Sequence, residues 1–227
     1  MLTADEHSGF LKSVEQVQQA ALNHLSANLN RKYAISFIAN LQRGVDQIVQ
    51  TSIDQGQRLD CKAGCSHCCC VRVETLAPEV FQIANALKKL PPENIAEFTE
   101  RLRKHAALAQ GVSVLDHRIV CPFLIDKLCS IYTVRPAVCR KAHSYAAEKC
   151  STPGAEMPES LVIIMNSEAL MKGTANAYAQ VGLSASAHEL GQAVLLALTD
   201  DTAESRWYGG ESVFDSVAPN MTEKETR

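Results

Sequence analysis

Apolar residues recur along the first quarter of the chain with the spacing of helices that bury one face. From about Leu2 to Leu29 the set Phe10, Leu11, Val14, Val17, Ala21, Leu22, Leu25 and Leu29 returns every three or four positions. From about Tyr33 to Gln55 the set Ile38, Leu41, Val45, Ile48 and Val49 does the same. Both patterns match the helical period, so they predict two amphipathic helices forming an antiparallel hairpin whose stripe belongs to the core. Further on, Val71-Arg72-Val73-Glu74 alternates like a short strand, Pro78 opens a helix through Leu90, and Pro91-Pro92 opens another from about Glu93 to Gln110. Ser151-Thr152-Pro153-Gly154 predicts a turn or linker. Helical spacing returns from Leu161 to about Met171 and from Ala175 to Leu198, with a break near Gly182-Leu183-Ser184. Over the last thirty or so residues the period fades. There Trp207-Tyr208-Gly209-Gly210 is expected to dock on the body, and Pro219 to Arg227 to form a solvated tail.

No internal repeat or low-complexity tract interrupts this order. The expectation is a mainly α, irregular helical domain with a loop-rich cysteine centre. It divides into an N-terminal helical hairpin packed on the body (1–57), a cysteine-cluster region (58–150), a C-terminal helical region (151–217) and a flexible tail (218–227).

The thiols change this picture most. All nine cysteines fall between Cys61 and Cys150, four of them in the run Cys65-Ser-His-Cys68-Cys69-Cys70. Such clustering signals disulfides, soft-metal ligation or redox exchange rather than scattered core thiols. Composition then separates the three. A chain of 227 residues with 46% apolar side chains can bury a full core, so it has no need of disulfide staples. The first residues carry acid where a secretory signal needs base, and no apolar run is long enough for a signal core or a membrane span. A cytoplasmic setting follows as the expectation, and there clustered cysteines are more often ligands or catalytic groups than disulfides.

Charge points the same way. Residues 61–150 carry thirteen basic and eight acidic side chains, a formal +5 within a chain of −3. A site of four thiolates around a divalent ion carries about two negative charges, so the basic excess reads as counter-charge. Nucleic-acid binding is disfavoured, because aromatics are only 5% of the chain and are not interleaved with the basic residues.

Spacing specifies the ligation further. Cys61-x3-Cys65-x2-Cys68 lies on a turn-rich segment in which Gly64 can supply a positive φ. Cys121, Cys129 and Cys139 spread over about twenty residues, followed by Cys150, with no second close pair, so a conventional zinc finger or ribbon is disfavoured. The adjacent Cys68 and Cys69 diverge in direction and favour two sites or a multinuclear centre, with Cys70 as a surplus thiol. Eight thiolates would fit two tetrahedral zinc ions or iron–sulfur clusters.

Around these positions the chain resembles the YkgJ-type cysteine-cluster proteins, also described as the zinc- or iron-chelating CxxCxxCC domain. The resemblance covers roughly residues 58–150. It rests on Cys61-x3-Cys65-x2-Cys68-Cys69, then Cys121-x-Phe123-Leu124, Cys129-x-Ile131-Tyr132, Arg135-Pro136-x2-Cys139-Arg140, Ser144 and Cys150. It implies zinc or iron binding through Cys61, Cys65, Cys68, Cys69, Cys121, Cys129, Cys139 and Cys150, while the adjacent Cys68-Cys69 pair and the surplus of thiols keep open an iron–sulfur enzyme or redox protein using the same cysteines. Some relatives are associated with flagellin lysine methylation, but no cofactor-binding sequence here carries that activity over. His67 and Cys70 depart from the pattern.

The remaining candidates have plainer readings. His67 and His143 could each replace a thiolate, although sulfurs already suffice. Arg135 and Arg140 could line a substrate site or steer an anionic partner, but Arg135 is read rather as a donor or packing residue near the thiolates. Tyr132 is read as core, and Pro136 as a turn or helix-start residue. His7, His24, His105, His117 and His188 show no mutual ligand spacing. A cysteine nucleophile activated by His67 leaves the other thiols unexplained, and no phosphate-cradling glycine motif occurs. Catalysis therefore stays undefined. The expected partner is a metal ion, with no membrane and no identified protein partner.

Overall fold

The computed structural model describes residues 3–28, 30–114, 116–152 and 157–214. The tail at 218–227, the linker residues Pro153 and Gly154, and the stripe residue Leu29 lie outside the described residues. Within them the chain is mainly helical, with eight α-helices, two short two-stranded ladders and a loop-rich cysteine segment.

Helix α1 spans Ala4–Ala27 and α2 Arg31–Asp54. Thr3 and Glu6 close a reciprocal capping box at the start of α1, and the Asn30 side chain accepts from the Tyr33 amide at the start of α2. Each satisfies amides that have no partner within the helix. The anticipated stripes face inward through Val14, Ala21 and Leu25 on α1 and Ile38, Leu41 and Val45 on α2. Leu11, counted in the first stripe, is exposed.

The main partner of α1 is α6 (Leu161–Gln180), and α2 meets α1 only near their junction, where the His24 and Phe37 rings stand 5.9 Å apart. A side chain at Gly173 would come within 2.6 Å of the Val14 carbonyl and 2.7 Å of Val17, so a bare Cα is what lets α1 and α6 approach. Gln18 extends the contact by bonding Gln180 at 2.8 Å and accepting from Asn176 at 3.1 Å. That close approach also explains why the helical pattern faltered between Met171 and Ala175 while the helix continues through both.

The strand foreseen at Val71–Glu74 begins at its last residue. Strand β1 is Glu74–Leu76, because a 3-10 turn at His67–Cys70 occupies the chain just before it. It pairs antiparallel with β4 (Ala187–Glu189), Glu74 opposite Glu189 and Leu76 opposite Ala187. Each strand runs straight into a helix, α3 (Ala77–Leu87) after β1 and α7 (Leu190–Thr199) after β4, and these two helices pack together. Helix α4 (Pro92–Ala109), opened by the proline pair as anticipated, lies against α7. The second ladder, β2 (Leu124–Ile125) with β3 (Leu128–Cys129), and helix α5 (Ala137–Lys141) belong to the cysteine segment.

Trp207 docks as expected, but on a helix of its own, α8 (Ala203–Tyr208). It is fully buried against Phe81 and Tyr178, and its indole N–H donates to the Ser184 carbonyl at 2.9 Å. Phe81 also meets Phe214, so the aromatic core joins α3, α6 and α8.

Candidate metal centre

The first cysteine group hangs between α2 and β1. Gly64 adopts φ +85°, a left-handed conformation that only glycine takes without penalty, and the Cys65 amide then turns back to the Lys62 carbonyl at 3.0 Å. In the 3-10 turn His67–Cys70 each residue rotates by about 120°, so three successive side chains leave in three directions. The Cys68 and Cys69 sulfurs nevertheless stay close enough to share a hydrogen bond.

The second group is tied to the first through backbone, the Cys121 amide donating to the Cys69 carbonyl at 2.8 Å. After Cys121 the chain turns through Leu124 N–H to the Cys121 carbonyl, then forms the β2–β3 hairpin. Its tip, Asp126-Lys127, has φ 49° and 63°, the two-residue left-handed turn that follows the twist of antiparallel strands. Cys129 stands opposite Leu124, and both the Ser130 amide and hydroxyl bind the Phe123 carbonyl at 2.8 Å.

Beyond the hairpin, Pro136 occupies the N-cap of α5, which presents Cys139. The Ala137 amide donates to the buried Glu79 carboxylate at 2.7 Å, and the same carboxylate accepts from Thr75 Oγ1 and the Leu76 amide. One side chain therefore caps α3 and anchors α5. Arg140 adds three bonds, Nε to the Arg135 carbonyl, Nη2 to the Thr133 carbonyl and Nη1 to Asp46 of α2 at 2.6 Å. Arg135 stacks over the Tyr132 ring at 3.7 Å, leaving that ring on the surface rather than in the core. Cys150 sits on a third 3-10 turn, Ala147–Ser151, packed against the turn that carries Cys68 and Cys69. Asp60 brings it there, its amide donating to the Ser144 carbonyl and its carboxylate accepting from the Ala147 amide.

The thiols thus converge from four segments into two overlapping sets. Cys61 interacts with Cys65, Cys68 and Cys150, while Cys121, Cys129 and Cys139 each interact with Cys68. Residues 60–157 match the family model CxxCxxCC, described as a putative zinc- or iron-chelating domain. The similarity to that family is confined to this segment. No curated protein and no solved structure matches the chain.

Within the CxxCxxCC domain the electrostatics oppose ionisation of the bare thiols. Burial and neighbouring sulfurs push Cys61, Cys129 and Cys139 up, and Cys121 up to about 11. Cys68 is pushed up chiefly by its hydrogen bond with Cys69, then by burial. Arg135 opposes this at Cys68 and Cys129, and Arg140 at Cys129. Sulfurs so crowded become thiolates together only when a cation replaces their protons, which suits this donor set to a thiophilic ion. None of the nine is disulfide-bonded or fully buried. Among the described residues no three Cys, His, Asp or Glu side chains stand closed around one point as they would about an ion.

His143 is not available to such an ion. Its Nδ1 donates to the Lys141 carbonyl and its Nε2 accepts from the Ser160 amide, both at 2.7 Å, so it links the domain to the N-cap of α6. His67 lies exposed on the cysteine turn. A group with no signal in the spacing lies beside Cys121: His105, His117 and Glu189 come from α4, the following loop and β4 and line one small cavity with that thiol. Their separations, 12 and 72 residues, carry no local period.

Proposed function

We propose that the protein is a zinc- or iron-binding module whose CxxCxxCC domain holds its metal through eight thiolates in two four-sulfur sites. Cys68, Cys121, Cys129 and Cys139 supply one site, and Cys61, Cys65, Cys69 and Cys150 the other. The observation that carries this reading is the meeting of the cysteine-bearing segments, the Cys121 amide bonded to the Cys69 carbonyl and the turn of Cys150 packed on the turn of Cys68 and Cys69, with Cys68 electrostatically linked to Cys121, Cys129 and Cys139. Once Cys68 joins that set, Cys69 and Cys70 remain, and the eight-cysteine motif takes Cys69 to complete the set of Cys61, Cys65 and Cys150. The split also gives the adjacent pair a role that one tetrahedral ion could not, and it leaves Cys70 without one. Arg135 and Arg140 supply part of the counter-charge that two sulfur-only sites need. Stabilisation, storage or sensing of metal fits such coordinatively saturated sites, which leave no open position for substrate.

The test is elemental analysis with an optical spectrum on protein purified without oxygen. A colourless preparation with about two zinc ions per chain, falling to about one in Cys68→Ser and unchanged in Cys70→Ser, is the expected result. Brown colour with acid-labile sulfide would assign the same thiols to iron–sulfur clusters. Protein free of metal and sulfide would overturn the reading.

A further inference from the structure

Helix α4 runs beside the strand-like stretch that delivers Cys121 and holds it by alternate carbonyls. His105 Nδ1 donates to the Val120 carbonyl at 3.2 Å, Arg101 Nε to the Pro122 carbonyl at 2.9 Å, and Arg101 Nη2 to the Leu124 carbonyl at 2.7 Å. The carbonyls at 120, 122 and 124 therefore all face α4, while the Cys121 amide faces the first cysteine turn through Cys69.

His105 is itself held from behind. Its Nε2 meets the Glu189 carboxylate at 3.1 Å, and both side chains are almost completely buried. Glu189 also accepts from the Gly191 amide at 3.0 Å and the Gln192 amide at 2.7 Å, so three donors surround a carboxylate at the start of α7. Both ring nitrogens of His105 are engaged, one by the Val120 carbonyl and one by this carboxylate, so the ring is fixed in orientation. Gly191 makes room for it: a Cβ there would fall 2.4 Å from His105 Cδ2.

We infer that Glu189 and His105 are positioning residues for metal capture, acting through the Val120 carbonyl to fix Cys121 at the four-thiolate site it shares with Cys68, Cys129 and Cys139. A buried carboxylate–histidine pair that ends on a backbone oxygen next to a ligand does for a loop thiol what such pairs do for a ligating imidazole, removing the orientations that do not bind. The inference rests on the two-site reading and adds to it that metal affinity depends on a pair of side chains outside the cysteine motif and on the packing of α4 against α7.

The experiment uses the full chain loaded with zinc, and separately with cobalt(II), and measures ion release to a competing chelator and the intensity of the thiolate-to-cobalt charge-transfer band. Glu189→Gln and His105→Gln are each expected to speed release of about one of the two ions by about tenfold to a hundredfold and to weaken the cobalt band. Leu25→Ala, on α1 and outside both α4 and the cysteine segment, lowers global stability and is expected to release metal at the wild-type rate. Should either glutamine variant fail to fold, Arg101→Met frees the neighbouring carbonyls at a partly exposed position and takes its place. Wild-type release rates in these variants, or equal acceleration in Leu25→Ala, would overturn the inference. A wild-type chain that binds neither ion, or a Cys121→Ser variant that releases both as slowly as wild type, would instead remove the two-site reading beneath it.

Discussion

Two glutamates at the residue scale show how buried carboxylates organise this chain. Glu79 gathers Thr75, Leu76 and Ala137, and Glu189 gathers His105, Gly191 and Gln192, each at the point where a strand becomes a helix. Burial raises the proton affinity of Glu189, but the bonds from His105 and from the Gln192 and Gly191 amides outweigh it and hold the carboxyl below the usual range. An unfolded glutamate titrates near about 4.3. Glu189 therefore contributes its full stability above that range and loses it as the pH falls through its lower folded value. In thermal melts the gap in Tm between wild type and Glu189→Gln should be widest near neutrality and narrow below about pH 4.5. A gap that stays constant to about pH 3 would show that the charge of Glu189 does no work. Neither glutamate could be singled out beforehand, because both occupy helix-start positions where an exposed acid is ordinary.

For elements, length decided what could be read in advance. Helices α1, α2, α3 and α4 each begin and end within a few residues of the positions that apolar spacing and the prolines indicate, because each is long enough to show its period. Strand β4 and helix α8 escaped because three and six residues show none, and their stability comes from partners far away in sequence, β1 for one and Phe81 with Tyr178 for the other. The pairing of α1 with α6 is of the same kind. Gly173 sits in mid-helix, where it costs about 1 kcal/mol against alanine in an isolated helix, and only the contact with Val14 and Val17 explains it. Gly173→Ala forces the two helices apart and should lower stability by about 1–3 kcal/mol despite the gain in propensity. Urea unfolding monitored by circular dichroism measures this, and an unchanged or higher midpoint would refute the close-approach account.

At the scale of the whole molecule, the helical body and the cysteine segment differ in what holds them. The body has an aromatic and aliphatic core running from Leu25 through Phe81 to Trp207. The cysteine segment contributes Phe123, Ile131 and Ala137 to that core, and beyond them has short 3-10 turns, a two-rung hairpin and a five-residue helix, joined by carboxylate and arginine bonds. Its candidate ligands are legible because cysteine spacing is explicit in sequence. The division proposed for them is not, since it depends on backbone links such as Cys121 to Cys69 that no period encodes. Removing metal with a chelator under reducing conditions should therefore raise amide exchange across residues 61–76 and 121–150 while α1, α2 and α6 keep their protection. Uniform exchange across both regions would mean that the ions hold the whole chain together.

The partnership of α1 with α6 bears on how the molecule is made. Helix α1 is made with an apolar face that α2 meets only near their junction and that α6 cannot cover until more than 130 further residues have been added, the entire thiol segment among them. Closure of the body is thus deferred until the thiol segment has been made, so folding is dominated by distant contacts and its early intermediates expose both grease and sulfur. A cell that makes this chain has to keep its nascent form both reduced and shielded until the sixth helix arrives.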